Sequence, residues 1–212
     1  MEFTIVPVTP YQQNCSLVWD AAGNSVLVDP GGEAERLLAE VARRELSVRR
    51  ILLTHGHLDH VGAAAELRDR LGVPVVGPHA DEAFWLDSLP QQAELFGFPP
   101  ATALVPDQWL AEGDRIEVGE LRFDVLHCPG HTPGHVVFYA PDARLAFVGD
   151  VLFKGSIGRT DFPRGNHRAL IAAIRDKLFP LGDDVRFVPG HGAMSTFGHE
   201  RLENPFLTLP DA

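Results

Sequence analysis

Along the chain, short continuous apolar runs alternate with stretches in which apolar positions recur every three or four residues, and these two periods separate strands from helices. Residues 2–8 and 15–19 predict strands. Ala21-Ala22-Gly23-Asn24 supplies turn residues between Trp19 and the run Ser25-Val26-Leu27-Val28-Asp29, so the chain is expected to open as antiparallel sheet. Leu37, Leu38, Val41 and Ala42 fall at helical spacing, which predicts a helix from Glu33 to Leu46 and then a strand at 49–53. A second helix is expected from Val61 to Leu71, stopped by Gly72, followed by a short strand at 73–76 and Pro-punctuated helical sequence over 79–99. The second half predicts strands at 115–118, 121–127, 135–140 and 144–148, a helix at 166–178, a strand at 185–188 and a short helix at 198–204. Strands followed by helices, twice over, imply an α/β protein with two sheets and helices on their outer faces.

Composition narrows the class. With 45% apolar and 22% charged residues, the 212-residue chain reads as globular, and its length fits one domain spanning 1–212. No basic leader precedes an apolar stretch and no long apolar run could span a bilayer, which predicts a cytoplasmic protein with no membrane partner. Cys15 and Cys128 are too few for a disulfide framework and are expected to be reduced and structural. A net charge of −11 argues against nucleic acid as a partner, because phosphate binding rests on clustered Lys and Arg.

The chemistry concentrates after the apolar run Ile51-Leu52-Leu53, in Thr54-His55-Gly56-His57-Leu58-Asp59-His60. At this chain's own residue frequencies, H-x-H-x-D-H would arise by chance in roughly two chains per thousand, so the cluster demands an explanation. A strand ending in a loop would bring alternate imidazoles, His55 and His57, onto one face to share an ion, with Asp59 and His60 turning toward a second. The competing reading is a polar loop in which Asp59 caps a helix starting near Val61. Three further candidates, His131 in Cys128-Pro129-Gly130-His131, Asp150 in Val148-Gly149-Asp150 and His191 in Val188-Pro189-Gly190-His191, each follow an apolar strand and a glycine. Glycine beside each candidate lets the backbone turn and a metal approach closely.

The ordered motifs T-H-x-H-x-D-H, P-G-H-T-P-G-H, G-D and P-G-H-G resemble the metallo-β-lactamase superfamily, and within it the small glyoxalase II-like (hydroxyacylglutathione hydrolase-like) branch. The resemblance covers nearly the whole chain and implies an αββα sandwich. It also implies one metal held by His55, His57 and His131, a second held by Asp59, His60 and His191, and Asp150 bridging the two. His79, His127, His135, His167 and His199 are left without metal roles, His135 being a structural member of its motif.

Two divalent ions, zinc first and iron or manganese as alternatives, would hold a bridging hydroxide and polarise a substrate carbonyl. Asp59 is better read as a ligand than as a general base, and is also placed to orient the attacking water. Lys154, Arg159, Arg164 and Arg168 gather positive charge in the segment after Asp150, so Lys154 and Arg159 are expected to bind an anionic substrate. The expected activity is hydrolysis of a small anionic acyl thioester, S-lactoylglutathione above others. Two departures weaken glutathione recognition: Asp161 stands where glyoxalase II enzymes use a tyrosine, and the sequence after His191 is expected to leave no room for the helical C-terminal domain with which larger glyoxalase II enzymes grip glutathione. The alternatives are an iron-dependent persulfide dioxygenase, whose loop resembles Gly158-Arg159-Thr160-Asp161-Phe162, and a non-catalytic metal-binding scaffold.

Overall fold

In the computed structural model, which describes residues 1–208, the N-terminal half builds a five-stranded sheet in the order β1 (Glu2–Val8), β2 (Gln13–Trp19), β3 (Asn24–Val28), β4 (Ser47–Leu52), β5 (Val75–Val76). The first three strands pair antiparallel; β3, β4 and β5 are parallel, joined through α1 (Ala34–Arg43), then α2 (Leu58–Val61) and α3 (Ala64–Leu71). After α4 (Ala83–Asp87) and α5 (Leu89–Phe96) come β6 (Arg115–Val118), β7 (Leu121–His127), β8 (Val136–Ala140) and β9 (Leu145–Gly149), and a small hairpin of β10 (Leu152–Phe153) and β11 (Ser156–Ile157). Next follow α6 (His167–Ala173), β12 (Arg186–Pro189), β13 (Ser195–Thr196), α7 (Phe197–Glu203) and α8 (Pro205–Thr208). The second sheet runs β13-β12-β9-β8-β7-β6. Among the described residues no helix is long and apolar enough to cross a membrane.

The continuous apolar runs of β8 and β9 are explained by burial on both faces. Phe138 and Phe147 point inward, where with Phe123 and Val125 they meet Val18, Val26 and Leu52 of the first sheet. Their neighbours Val137, Tyr139, Ala146 and Val148 point outward against Leu170, Ile171 and Ile174. The first sheet repeats the scheme, with Leu17, Leu27 and Ile51 packed on Leu37, Val41 and Leu67 of α1 and α3. The expected αββα sandwich is the observed architecture, and Cys15 and Cys128 are free and buried within it.

Several expected elements are shorter or divided. The first helix stops at Arg43 rather than Leu46 because Glu45 takes a left-handed φ of 56° and Leu46 N–H turns back to the Val41 carbonyl. The helix expected at 61–71 is two helices: a Cβ on Gly62 would lie 2.5 Å from the Gly31 carbonyl oxygen, and Ala63 N–H donates to Pro30 instead of continuing the first helix. The run 79–99 divides into a 3₁₀ turn at Ala80–Glu82 and two short helices, and the helix at 166–178 becomes π-helical from Ile174 to Leu178. The β10–β11 hairpin and α8 fall where no element was expected.

Candidate metal centre

Strand register gathers the candidates at one end of both sheets. Parallel pairing sets Pro189 opposite Gly149, so Asp150 and Gly190 emerge together, and Gly190 N–H donates to the Gly149 carbonyl at 2.7 Å. Gly149 has φ 48°, and a Cβ on Gly190 would come within 2.0 Å of an Asp150 carboxylate oxygen, so both glycines are required by the approach itself. Two bonds tie the sheets together here: Val136 N–H to the Thr54 carbonyl, 2.8 Å, and Asn14 N–H to the Gly190 carbonyl, 2.7 Å.

The H-x-H-x-D-H segment differs from a strand end. β4 ends at Leu52, Leu53 to Gly56 lie in irregular backbone, His57 is the N-cap of α2 with φ −74° and ψ 143°, and Asp59 and His60 sit in that helix. Asp59 is therefore not the cap of a helix at Val61.

Two donor sets result. His55 Nε2 lies 3.1 Å and His131 Nε2 3.0 Å from His57 Nδ1, all three rings buried. Those separations approach the ~3.3 Å edge of a nitrogen tetrahedron around a zinc-sized ion at ~2.0 Å. In the second set His191 Nε2 faces Asp59 Oδ2 at 3.2 Å, and His60 Nε2 faces Asp150 Oδ1 at 3.4 Å. Asp150 Oδ2 is 3.6 Å from His131 Nε2 and 3.7 Å from His191 Nε2, so its carboxylate stands between the sets. His60 Nε2 and Asp150 Oδ1, though 3.4 Å apart, are buried without a well-aligned hydrogen bond, an arrangement a bound cation would satisfy. The residues thus fit two ions.

Outer hydrogen bonds fix which nitrogen faces inward. Nδ1 of His131 meets the Arg159 carbonyl at 2.8 Å, Nδ1 of His191 the Tyr11 carbonyl at 3.1 Å, and Nδ1 of His60 the Asp29 carboxylate at 2.9 Å. Each Nδ1–H donates outward and leaves Nε2 for an ion. Thr54 Oγ1 donates to Asp29 at 2.6 Å and lies 3.0 Å from His55 Nδ1, so Asp29 supports a member of each set. His135 stacks on His55 with centroids 4.6 Å apart and accepts the Asp150 N–H, which gives its expected structural place a geometry.

Electrostatics divide the sets. Burial, with neighbouring imidazoles, holds His55 and His57 well below the ordinary histidine range, and burial lowers His131 against the pull of Asp150. His60 is buried as well, but Asp150 and Asp59 drive it well above that range; His191 is raised against burial by Asp59 and Asp150. The same histidines overcome burial to hold the Asp150 carboxyl far below the usual range.

Two supporting residues escaped the sequence reading. Asp29, at the end of β3 with φ 51°, had a weak signal, a carboxylate followed by Pro-Gly-Gly. Glu82 had none. It is fully buried, accepts the Gly56 N–H at 2.9 Å and the Gly134 N–H at 2.7 Å, and burial pushes its carboxyl up to about 7 against those two bonds. One side chain thereby clamps the loops carrying His55, His57 and His131.

The centre floors a cleft of about 760 Å³ walled by Tyr11, Trp85, Leu95, Phe96, Phe153 and Phe162. Arg159 lines it, with its guanidinium held by both Asp161 oxygens at 2.7 Å and lying 4.3 Å from the Phe162 ring. Lys154 is exposed in an adjoining depression beside Phe153 and His191.

The family model of the metallo-beta-lactamase superfamily matches residues 8–191. The chain belongs to that superfamily. Its relatives include hydroxyacylglutathione hydrolase GloC of Haemophilus influenzae, 50% identical over 208 residues and 98% of each chain. Among solved structures it is similar to BLEG-1 B3 metallo-beta-lactamase, with 40% identity and a TM-score of 0.91 over 98% of this chain and 100% of that one. It is also similar to TTHA1623 in a di-iron-bound form, with 42% identity and a TM-score of 0.88 over 96% of this chain and 100% of that one. The metallo-hydrolase expected from the motifs is borne out at the level of the family.

Proposed function

We propose that this metallo-hydrolase cleaves acylglutathione thioesters of the S-lactoylglutathione kind, as a cytoplasmic enzyme holding two divalent ions. The observation that carries the reading is the pair of donor sets with the Asp150 carboxylate between them, at the floor of a cleft large enough for a small thioester. Identity of 50% to a hydroxyacylglutathione hydrolase supports the substrate class.

When bound, the ions supply Lewis acidity, lowering the pKa of water and polarising the carbonyl. His55, His57 and His131, kept neutral by burial, would hold one ion, and Asp59, His60 and His191 the other, with Asp150 serving both. Zinc suits the nitrogen and oxygen donors; a di-iron neighbour supports iron as the next candidate. Asp59, half-buried and facing the cleft, is placed to orient a water toward the thioester carbon. That oxygen bonds to the carbonyl carbon, the carbon–sulfur bond breaks, sulfur leaves as thiolate, and the water's protons pass to the carboxylate side chains and solvent. Trp85 and Phe162, packed at 4.6 and 4.7 Å from the His57 ring, keep bulk water from that side of the centre.

Hydrolysis of S-D-lactoylglutathione, with the metal content of the same sample recorded, tests the reading. Turnover at ordinary enzymatic rates is expected, with a β-lactam as the comparison substrate because of the likeness to BLEG-1. No thioester turnover in fully metallated protein would overturn it and favour persulfide dioxygenation, measured as oxygen uptake.

A further inference from the structure

The walls of the cleft differ in character from an anion-binding site. Three of the seven large apolar side chains exposed among the described residues, Tyr11, Leu95 and Phe96, stand around this one opening, 49%, 76% and 47% exposed. Their placement follows from α5. Ser88, Gln91, Gln92, Leu95 and Phe96 occupy positions i, i+3, i+4, i+7 and i+8, a single stripe facing the cleft, while Leu89 and Ala93 turn inward to the core. Beyond Gly97 the chain turns, and Phe98 meets the Tyr11 ring at 5.3 Å, which joins the stripe to the loop whose carbonyl holds His191.

Two of the cations expected near an anionic substrate, Arg159 and Arg164, are meanwhile engaged. Both guanidinium contacts of Arg159 go to Asp161, and Arg164 lies 4.1 Å from the Phe84 ring. Lys154 lines the depression shared with His191, outside the apolar cleft. Apolar surface withdrawn from water contributes wherever it is covered, whereas an exposed arginine already paired with a carboxylate gains little by exchanging partners.

We infer that the α5 stripe is an acyl-arm subsite that selects thioesters carrying an apolar acyl group, medium-chain or aromatic, over the short hydroxyacyl group. The inference rests on the thioesterase reading and specifies its substrate. Water adds to the acyl carbon and the carbon–sulfur bond breaks, so the products are the apolar carboxylate and the free thiol. Leu95 and Phe96 determine specificity and touch none of the reacting atoms.

The deciding experiment is calorimetric binding of S-methyl-, S-butyl- and S-hexylglutathione, thioethers that cannot be hydrolysed, to the wild-type protein and to Leu95→Ser and Phe96→Ser. These side chains are exposed, and a circular dichroism melt verifies that each variant is folded. Full burial of a methylene is worth about fourfold in affinity, and a half-open cleft about twofold, so affinity should rise at least about tenfold from methyl to hexyl. The serine variants should flatten that rise. Equal affinity along the series, or a rise that both variants retain, overturns the inference. Turnover of acetyl-, lactoyl- and hexanoylglutathione is measured alongside: failure to cleave any of them sinks the thioesterase reading, whereas equal or lactoyl-favouring kcat/KM with flat binding sinks the subsite alone.

Discussion

His55, His57 and His131 meet as three buried nitrogens with no carboxylate among them, whereas His60 and His191 meet across from Asp59 and Asp150, with the His191 side chain 28% exposed and that of Asp59 16%. The first set is neutral before any ion arrives, because burial and mutual repulsion keep protons off it. In the second, the carboxylates favour the protonated form of both histidines. A cation entering the first set meets neutral nitrogens; one entering the second competes with protons and gains two anionic ligands. Two neighbouring donor sets with one carboxylate between them therefore differ in what they would demand of the solution.

The largest effects should come from the shared ligand. Asp150→Ala removes the carboxylate that stands between the Nε2 atoms of the two sets, and with it the negative charge facing His60, His131 and His191, so both ions and activity should be lost. A fall in kcat/KM on the order of 10³-fold or more is expected, with metal content below one equivalent. His57→Ala should abolish the first set and activity while leaving the core folded; full activity in either variant would end the assignment. Asp59→Asn sharpens the contrast, because it touches the second set alone and should leave one ion bound.

Acidification should separate the sets next. His60 and His191 titrate above the ordinary imidazole value of ~6.5, and the His55, His57 and His131 group below it. As pH falls, protons compete first for the second set, so dialysis from pH 8 to 5 should pass through a one-metal form; simultaneous loss of both ions would break the comparison. In the metal-free chain the sign reverses. Raised histidines contribute stability that is lost as pH rises through their folded values, while the depressed His55, His57, His131 and His135 are neutral in both states above ~6.5, so above that pH metal-free stability and metal affinity should move oppositely.

The asymmetry shows why some of this was legible in the sequence and some was not. The layers followed from apolar runs such as Val136–Ala140, buried on both faces, and the ligand candidates followed from a local pattern of histidines, aspartates and glycines. Element ends did not follow, because Gly62 is set by the Gly31 carbonyl, distant in the chain, and the first helix ends through a left-handed Glu45 rather than the glycine that would mark such a cap. Glu82 was silent for the same reason: its partners Gly56 and Gly134 lie 26 and 52 residues away in the chain. The basic segment after Asp150 read as a patch of charge, since the pairing of Arg159 with Asp161 and the stacking of Arg164 on Phe84 exist only once the loop is folded.

The supporting carboxylates give intermediate effects that again divide by set. Glu82→Ala strips two buried backbone N–H groups of their acceptor, at about 1–3 kcal/mol each, and loosens only the loops of the first set. Asp29→Asn weakens His60 directly and His55 through Thr54. Metal titration should show affinity lowered about 10–100-fold in each case, at the first set alone for Glu82→Ala and at both for Asp29→Asn. Equal losses at both sets in the Glu82 variant would show that its clamp is general to the fold.

Arg159→Ala should give the smallest effect. What this residue lends the first set is its main-chain carbonyl, which receives His131 Nδ1–H at 2.8 Å and survives the substitution. Its side chain is exposed and paired with Asp161, an arrangement worth at most about 1 kcal/mol, so KM for an acylglutathione should rise by no more than about fivefold with kcat unchanged. A much larger rise in KM would mean that the guanidinium leaves Asp161 to bind a substrate carboxylate, and Asp161→Ala would then lower KM by freeing it. A fall in kcat at constant KM would instead mean that the side chain fixes the loop holding His131, which extends the rigid first set to the cleft rim.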